Sequence, residues 1–392
     1  MTRILSLLAI VAAACGIASA TDFAGRASAT MDSLYSHYSS DHRALLRENY
    51  PFDDGYRAGY LAGEATETNK YSYLWPFSGT LTASRAMLDA TGDKRWLTAV
   101  NEKVMPGLAE YRDTRRRPMA YASYIRTAPR SDRFYDDNVW LGIDFTDLYL
   151  TTGDTAWLNR AEEVWRFVES GMDKKLGGGI YWCEQKKHSK NTCSNAPGAV
   201  FALKLHQATG NKRYLELGRD LYHWTKTNLQ DTTDCLYFDN ISVRKNHRIG
   251  RAKFAYNSGQ MMQAASLLHK ITGDSTYLAD AQAIARSSFR EFFPTTATDA
   301  ATGREYRVLK KGDIWFTAVM MRGFAELYDI DHNPVYINDF LTNMDNAWTL
   351  MRDPATGLFS EDWSGAEKKP RKWLLTQAAM VEMMALAATL DK

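Results

Sequence analysis

Apolar residues recur every three or four positions along much of the chain, which is the spacing that places them on one face of an α-helix. The pattern is clear in residues 139–149 and in residues 261–271, and a short polar turn follows each of these stretches. Alternation of polar and β-branched residues, which is typical of strands, is scarce. These patterns predict amphipathic helices and an all-α protein.

The polar turn is itself repeated. Four copies combine Thr-Gly with a following Asp or Asn, and they centre on Gly92, Gly153, Gly210 and Gly273. A weaker fifth copy has His332 at the glycine position, and the intervals between successive copies are 61, 57, 63 and 59 residues. A regular period of this length indicates one structural unit per repeat, here a pair of helices joined by the turn.

The chemistry of the turn explains how one helix ends and the next begins. Glycine just past a helix end adopts a positive φ without strain, and the Asp or Asn after it caps the following helix. Five such hairpins are visible, and a sixth is divided between residues 27–47 and 374–390. We therefore predict an all-α fold, an (α/α)6 barrel built from six helical hairpins.

The first twenty residues have the character of a signal peptide. Arg3 precedes an apolar run over residues 4–14, and Ala18-Ser19-Ala20 suits signal peptidase. Cleavage there would leave residues 21–392 as a single barrel domain, exported to the periplasm, the cell surface or the medium. Cys15 offers an alternative, a lipid anchor at the N-terminus. No further segment is predicted to be transmembrane.

Charge and cysteine content exclude several classes of function. A formal net charge of +2 argues against a dedicated surface for nucleic acid or anionic membrane. Cys183 and Cys193 are close enough in sequence for an oxidising compartment to join them, and this pairing stays open, whereas Cys235 is left over. These three sulfurs have no Cys-x-x-Cys spacing, so no structural zinc site is predicted.

An acidic segment around residues 231–239 raises the question of calcium. Asp231, Asp234 and Asp239 lack the spacing of a calcium-binding loop, and we interpret them as an exposed acidic loop. No metal and no cofactor is expected. Gly177-Gly178-Gly179 lacks the Lys-Ser/Thr of a phosphate-binding loop and is interpreted as a tight turn that lets a ligand approach closely.

The starts of the inner helices are unlike core sequence. Because the repeated turns are short and equivalent, they should share one end of the barrel, which leaves the longer loops and the inner-helix starts at the other end. Polar and aromatic residues recur at these starts: Trp75, Ser78, Tyr135, Asp136, Asp137, Ser194, Asn195, Tyr256, Asn257, Ser258, Asp313 and Trp315. With 21 Tyr and 11 Trp in the chain, such a rim could stack aromatic faces on sugars.

Asp136 and Asp137 are the strongest chemical signal at this rim. One carboxylate is sufficient to cap a helix, and a second beside it adds repulsion, so the pair suggests catalysis rather than capping. Neighbouring carboxyl groups can approach within the 5 to 5.5 Å expected of a retaining glycosidase. A helix N-terminus would keep one carboxylate ionised, and repulsion with partial burial would keep the other protonated.

At these residues the chain resembles glycoside hydrolase family 76, the endo-α-1,6-mannanases. The resemblance extends from residues 73–77 to the C-terminal helix and includes residues 135–137, 177–182, 194–195, 256–259, 311–312, 362–365 and 376–378. Two positions depart from the family pattern: Ser258 stands where Gln is frequent, and Asn138 follows the aspartates where a small or acidic residue is common. These departures affect subsite details.

The resemblance implies an (α/α)6 barrel that cleaves α-1,6-mannosidic bonds within mannan backbones, with retention of configuration. It implies that Asp136 is the nucleophile and that Asp137 is the general acid/base. The residues that it suggests for binding α-mannan or manno-oligosaccharides are Trp75, Ser78, Tyr135, Asn195, Tyr256, Asn257, Trp315, Asp362, Trp363 and Gln377. Two alternatives remain: a transglycosylase acting on mannose-containing glycans, and a noncatalytic glycan-binding protein.

Overall fold

The structure is a computed structural model, which describes residues 21–60, 68–244 and 246–391. The predicted signal peptide and the alternative lipid anchor at Cys15 lie outside the described residues. Among the residues described, no helix combines the length and the apolar character needed to cross a bilayer.

Twelve helical segments, one of them interrupted, alternate between an outer and an inner ring. The outer segments are α1 (Phe23–Tyr38), α3 (Arg95–Ala99) continuing through a π-helical turn (Val100–Val104) into α4 (Met105–Tyr111), α6 (Thr155–Ser170), α8 (Lys212–Leu229), α10 (Ser275–Phe292) and α12 (Pro334–Leu350). The inner helices are α2 (Leu74–Thr91), α5 (Tyr135–Thr152), α7 (Thr192–Thr209), α9 (Ala255–Thr272), α11 (Ile314–Asp331) and α13 (Leu374–Leu390).

The inner helices pack in a closed circuit. Each contacts the next along the chain, and α13 packs against α2 to complete the ring. α1 packs against α13, so the two ends of the chain form the sixth hairpin. This arrangement confirms the predicted (α/α)6 barrel. The predicted boundary of the first helix is wrong, because α1 ends at Tyr38 and residues 39–47 form an irregular connection.

The repeated turns have the predicted conformation. Their four glycines have φ values of 66°, 72°, 70° and 74°, and His332 adopts the same left-handed region at 51°. The Asp or Asn that follows accepts a hydrogen bond from a backbone amide of the next helix in all five turns. The five turns therefore join inner to outer helices at one end of the barrel.

The inner helices are not amphipathic, and the sequence prediction is wrong on this point. Every residue of α5 from Asn138 to Leu148 is buried, because an inner helix contacts its ring neighbours on two sides and the outer ring on a third. The outer helices carry the amphipathic pattern instead. In α6, for example, Trp157, Ala161, Val164 and Val168 are buried, and the intervening faces carry charged residues.

Short strands lie at the opposite end of the barrel, where the inner helices begin. They are β1 (Asn49–Tyr50), β2 (Arg112–Asp113), β3 (Ala120–Tyr121), β4 (Ser189–Asn191), β5 (Phe238–Ser242), β6 (Ile249–Lys253), β7 (Thr295–Thr298), β8 (Glu305–Val308) and β9 (Lys372–Trp373). All lie in connections from an outer helix to the next inner helix. They form antiparallel sheets in the orders β1-β9, β2-β3, β4-β5-β6 and β7-β8.

Candidate functional site

A cavity of about 400 Å³ opens at the end of the barrel where the inner helices begin. First turns of inner helices and the loops between them both contribute to its wall. The lining residues are Tyr60, Tyr73, Trp75, Ser123, Phe134, Asp136, Asp137, Trp140, Trp182, Ser189, Asn191, Cys193, Asp239, Asn240, Phe254, Tyr256, Trp315 and Phe316. Most are aromatic or polar, as expected of a site for a ligand with both apolar and hydroxylated surfaces.

Asp136 and Asp137 lie in the first turn of α5 and both reach this cavity. The amide of Tyr135 donates to the carbonyl of Trp182 over 2.9 Å, which joins the start of the helix to the neighbouring loop. The same loop residue also contacts the carboxyl pair, because the indole Nε1 of Trp182 donates to Oδ2 of Asp136 over 3.1 Å. The thiol of Cys193, in the first turn of α7, donates to the same oxygen over 3.3 Å.

The two carboxyl groups have different electrostatic environments. Burial raises the pKa of Asp136 to about 6, and the hydrogen bonds from Cys193 and Trp182 limit this rise. Burial also raises the pKa of Asp137 well above its usual range, and the neighbouring charge of Asp136 raises it further. Within the pair, Asp136 is therefore the carboxyl that ionises first and Asp137 the one that retains a proton more strongly.

Aromatic rings form the wall around the carboxyl pair. Trp315 packs edge-on against Trp140 and Trp75, with ring centroids 4.9 and 5.4 Å apart. Tyr256 stacks on Phe316 with centroids 4.1 Å apart. These five side chains come from four different inner helices, so the barrel itself holds the aromatic wall in place.

The buried carboxylate of Glu48 forms hydrogen bonds with residues of the cavity wall. Glu48 accepts hydrogen bonds from the hydroxyls of Tyr60 and Tyr56, over 2.8 and 3.3 Å, and from the indole of Trp373 over 3.3 Å. Its second oxygen accepts from the Asn69 side chain and the Tyr73 amide, each over 3.0 Å. Burial raises the pKa of the Glu48 carboxyl, and these hydrogen bonds oppose the rise.

Five of the residues suggested by the sequence lie together on the cavity wall. They are Asp136, Asp137, Trp75, Tyr256 and Trp315. Each occupies the first turn of an inner helix, which is where the repeat placed it.

The other suggested residues lie outside the cavity lining. The Ser78 hydroxyl donates to the carbonyl of Trp75 in its own helix, Tyr135 stacks on Phe167 with centroids 4.6 Å apart, and Asn257 is fully buried. Asp362 accepts hydrogen bonds from Ser364 and Glu367 and so shapes its own loop, and the neighbouring Trp363 is buried in the core. This placement does not support direct contact of these side chains with a bound glycan.

Asn195 and Gln377 have a structural role that they share with Asn138. Each is the fourth residue of an inner helix, and each side-chain amide both donates to the carbonyl and accepts from the backbone amide of one residue in the adjacent loop. Each also donates to the carbonyl of the residue four positions earlier. The partners are Ile180 for Asn195, Phe359 for Gln377 and Tyr121 for Asn138. These side chains therefore fix the rim loops to the barrel rather than line the cavity.

Several cavity residues were missed or misassigned from the sequence. Cys183 and Cys193 are free thiols rather than a disulfide, and Cys193 contacts Asp136. The interpretation of residues 231–239 as an exposed acidic loop is wrong. Asp231 and Asp234 are half-buried and both accept from Lys253, and Asp239 lines the cavity, where burial raises the pKa of its carboxyl.

Of the glycines at 177–179, Gly178 and Gly179 lie against Trp224, and none of the three lines the cavity. A Cβ on Gly179 would lie 2.7 Å from the indole carbons of Trp224, and the φ of Gly179 is +81°. The interpretation of this turn as a close approach for a ligand is therefore wrong, since it makes room for a tryptophan of α8.

Comparison with known proteins agrees with this fold. The sequence profile of glycosyl hydrolase family 76 matches residues 52–391. A family 76 mannosidase of Bacteroides thetaiotaomicron VPI-5482 is 34% identical and superimposes with a TM-score of 0.85 over 94% of this chain and 99% of that chain. A family 76 glycoside hydrolase from a bovine B. thetaiotaomicron strain is 33% identical, with a TM-score of 0.85 over 95% of this chain and 78% of that one.

Two further relatives are similar at lower identity. An inactive α-1,6-mannanase variant of Salegentibacter sp. HEL1_6, with two aspartates replaced by asparagine and α-1,6-mannotriose bound, is 25% identical, with a TM-score of 0.74 over 94% of this chain and all of that one. A putative mannan endo-1,6-α-mannosidase of Schizosaccharomyces pombe is 26% identical over 164 residues, which span 38% of this chain and 37% of the relative. The profile match covers most of the chain and includes the barrel and the paired aspartates, and on that basis the protein belongs to glycosyl hydrolase family 76.

Proposed function

We propose that this protein is an exported, endo-acting α-1,6-mannanase that hydrolyses mannan backbones with retention of configuration. The observation that carries the proposal is the pair of adjacent carboxyl groups of Asp136 and Asp137, which lie on the aromatic wall of one cavity and have unequally raised pKa values. The Salegentibacter protein, an α-1,6-mannanase by name, supports the choice of linkage, because its inactive variant has two aspartates replaced and binds α-1,6-mannotriose.

In the proposed reaction Asp137 donates its proton to the glycosidic oxygen as the bond to the anomeric carbon breaks. Asp136 attacks that carbon and forms a glycosyl ester, and the leaving chain departs as an alcohol. Asp137, now ionised, takes a proton from water, which attacks the anomeric carbon of the glycosyl ester; the bond from that carbon to the Asp136 oxygen breaks and Asp136 is released as a carboxylate. The hydrogen bonds from Trp182 and Cys193 stabilise the ionised Asp136 before attack and after release.

The roles of the two aspartates can be tested by replacing each with alanine and adding azide. With an activated mannoside, Asp137→Ala should still form the glycosyl ester, so azide should yield a product of retained configuration. Asp136→Ala cannot form the ester, so azide should attack directly and give the inverted product. On α-1,6-mannan we expect each variant to lose roughly a hundredfold to ten-thousandfold in rate. Rates near that of the wild type in both variants would refute the proposal.

Endo action and hydrolysis are tested by one digestion of linear α-1,6-mannan. Early appearance of intermediate oligosaccharides indicates endo cleavage, and NMR of the first product gives its anomeric form. Added mannose or mannobiose separates the alternatives, because a transglycosylase would form longer products at the expense of hydrolysis. Binding without any product would indicate a noncatalytic protein.

Export is tested separately. Cell fractionation, with mass spectrometry of the mature N-terminus, should detect a chain that begins at Thr21. A lipid-modified N-terminus at Cys15 would instead support the anchored alternative.

A further inference from the structure

An exposed cluster of basic residues lies beside the cavity on the three-stranded sheet β4-β5-β6. We call this the basic face and define it by Lys187, His188, Arg244, Arg248 and Arg251. Lys187 and His188 precede β4, Arg244 follows β5, Arg248 directly precedes β6, and Arg251 is the middle residue of β6. All five side chains are exposed.

The strand pairing brings these residues together. The amide of Val243 donates to the carbonyl of His188 over 3.0 Å, and the amide of Ser242 donates to the carbonyl of Arg248 over 2.9 Å. Neighbouring strands lie about 4.8 Å apart, so the pairing brings the backbones of these basic residues into one region at the ends of the strands.

None of the five side chains forms an ion pair with a carboxylate in the part of the chain that the structure describes. The nearby carboxylates have other surroundings: Glu184 pairs with Arg133, Asp231 and Asp234 pair with Lys253, and Asp239 lies on the cavity wall, where it accepts from Asn240. The chain as a whole has a formal net charge of only +2. The cluster is therefore a local concentration of positive charge and does not reflect a generally basic protein.

The same strands continue into the cavity wall. Ser189 and Asn191 of β4, together with Asp239 and Asn240 of β5, line the cavity. At about 3.3 Å per residue, Arg244 lies roughly 13 Å along the strand from Asn240. A polymer that occupies the cavity and leaves it over this sheet would therefore pass the basic face.

We propose that the basic face binds anionic substituents, phosphate or carboxylate groups, carried by the glycan that occupies the cavity. Arginine suits this role because its planar guanidinium donates two parallel hydrogen bonds to either group. The inference rests on the proposed function only for the identity of the glycan. It predicts a preference for mannan that carries negative charge over neutral mannan of the same length.

The test compares an Arg244→Gln/Arg248→Gln double variant with a matched control. Lys94→Gln/Lys212→Gln removes the same charge from exposed positions at the repeated-turn end of the barrel. Linear α-1,6-mannan is supplied neutral, phosphorylated or carboxymethylated, and affinity electrophoresis and kcat/KM are measured at low salt. We expect the wild type and the control to prefer one or both anionic polymers by roughly threefold to tenfold.

In the Arg244→Gln/Arg248→Gln variant this preference should disappear, whereas affinity for neutral mannan should stay unchanged. Salt at 0.5 M should remove the wild-type preference as well, since it screens exposed charges. Phosphorylated and carboxymethylated polymers identify which anionic group is favoured.

An equal preference in the variant and the control would overturn the inference. Binding to phosphatidylglycerol vesicles is measured as well. If the Arg244→Gln/Arg248→Gln variant lost binding only to these vesicles, the inference would also be overturned, because the basic face would then be assigned to a lipid surface. Failure of the proposed function has a different signature: no polymer would be cleaved, while the electrophoretic preference for anionic mannan would persist.

Discussion

The thiol of Cys193 donates a hydrogen bond to Oδ2 of Asp136 over 3.3 Å. A thiol is a weak donor, but this one lies in the cavity, where little water competes for the carboxylate. It stabilises the ionised form of Asp136 and therefore lowers the pKa of that carboxyl relative to burial alone. Cys193, which the sequence left open as a disulfide partner of Cys183, is thus a free thiol that contributes to the electrostatics of the candidate active site.

Replacing this donor should shift the acidic limb of the pH profile. The proposed mechanism requires ionised Asp136, whose pKa burial raises to about 6, so kcat/KM should fall as pH drops through that value. In Cys193→Ala the carboxylate loses a donor, its pKa rises, and the limb should move upward by about half a pH unit to one pH unit. Cys193→Ser keeps a donor and serves as the control. An unmoved limb in Cys193→Ala would contradict the assignment.

The coupling is reciprocal and can be followed without any turnover. The charge of Asp136 contributes to the raised pKa of the Cys193 thiol, after burial. In Asp136→Asn that charge is absent, so the thiol pKa should fall and alkylation of Cys193 by iodoacetamide should become faster at a given pH. Mass spectrometry of the alkylated peptide measures the rate, and Cys235, which is only half-buried, provides an internal reference.

A second prediction concerns the loop that carries Trp182. Asn195 holds Ile180 in that loop through both its amide and its carbonyl. Asn195→Ala should reduce the free energy of unfolding by about 3 kcal/mol, since it leaves buried backbone groups without partners. It should also reduce kcat/KM on the order of tenfold, because the indole that contacts Asp136 lies two residues further on.

Asn343 provides the matched control for this variant. It makes three equivalent hydrogen bonds, to Leu309, Arg307 and Asp339, but from the outer helix α12 and away from the cavity lining. Asn343→Ala should therefore lower the midpoint of thermal unfolding to a similar extent and leave kcat/KM unchanged. If both variants lost activity equally, the effect would be one of stability alone.

The sequence predicts the barrel well because its signal is local and repeated. Gly92 and its equivalents mark each helix end, and Asp136-Asp137 follows from the same repeat. The side on which a polar residue projects is harder to predict. Successive helical residues are rotated by about 100°, so Asn195 faces a loop although Cys193, two residues earlier, faces the cavity. Asp239 lies in a loop whose position depends on contacts distant in sequence.

A third prediction separates backbone strain from packing in the glycine turn. Gly177 and Gly179 have similar positive φ values, 77° and 81°, but a Cβ meets the Trp224 indole at 2.7 Å only on Gly179. Alanine at either position should cost about 1 to 2 kcal/mol of backbone strain. Gly179→Ala should cost a further 1 to 3 kcal/mol, approximately, from overpacking.

Chemical denaturation of the two variants measures this difference directly. Neither glycine lines the cavity, so KM for manno-oligosaccharides should stay unchanged in Gly177→Ala. A raised KM in that variant, without a loss of stability, would restore the interpretation of this turn as a contact for the ligand.

The last prediction concerns Glu48, whose two oxygens together accept five hydrogen bonds. In Glu48→Gln an NH2 group replaces one of the two carboxylate oxygens. This group is itself a donor and cannot accept the hydrogen bonds that the oxygen accepted. We expect the free energy of unfolding to fall by about 2 to 3 kcal/mol, the cost of buried donors without partners. KM should rise severalfold with a smaller change in kcat, because Tyr60 loses its anchor while the carboxyl pair on α5 is untouched.

Two single-hydroxyl variants show whether the effect on KM passes through the cavity wall. Tyr60→Phe and Tyr56→Phe each remove one donor to Glu48, but only the ring of Tyr60 lines the cavity, edge-on to Trp75 with centroids 5.3 Å apart. Tyr60→Phe should therefore raise KM, and Tyr56→Phe should lower stability slightly without changing KM. Equal KM values in both variants and the wild type would mean that the hydrogen bond between Tyr60 and Glu48 does not position the glycan, and that Glu48 acts on the fold or through its other contact with the cavity wall, the amide of Tyr73.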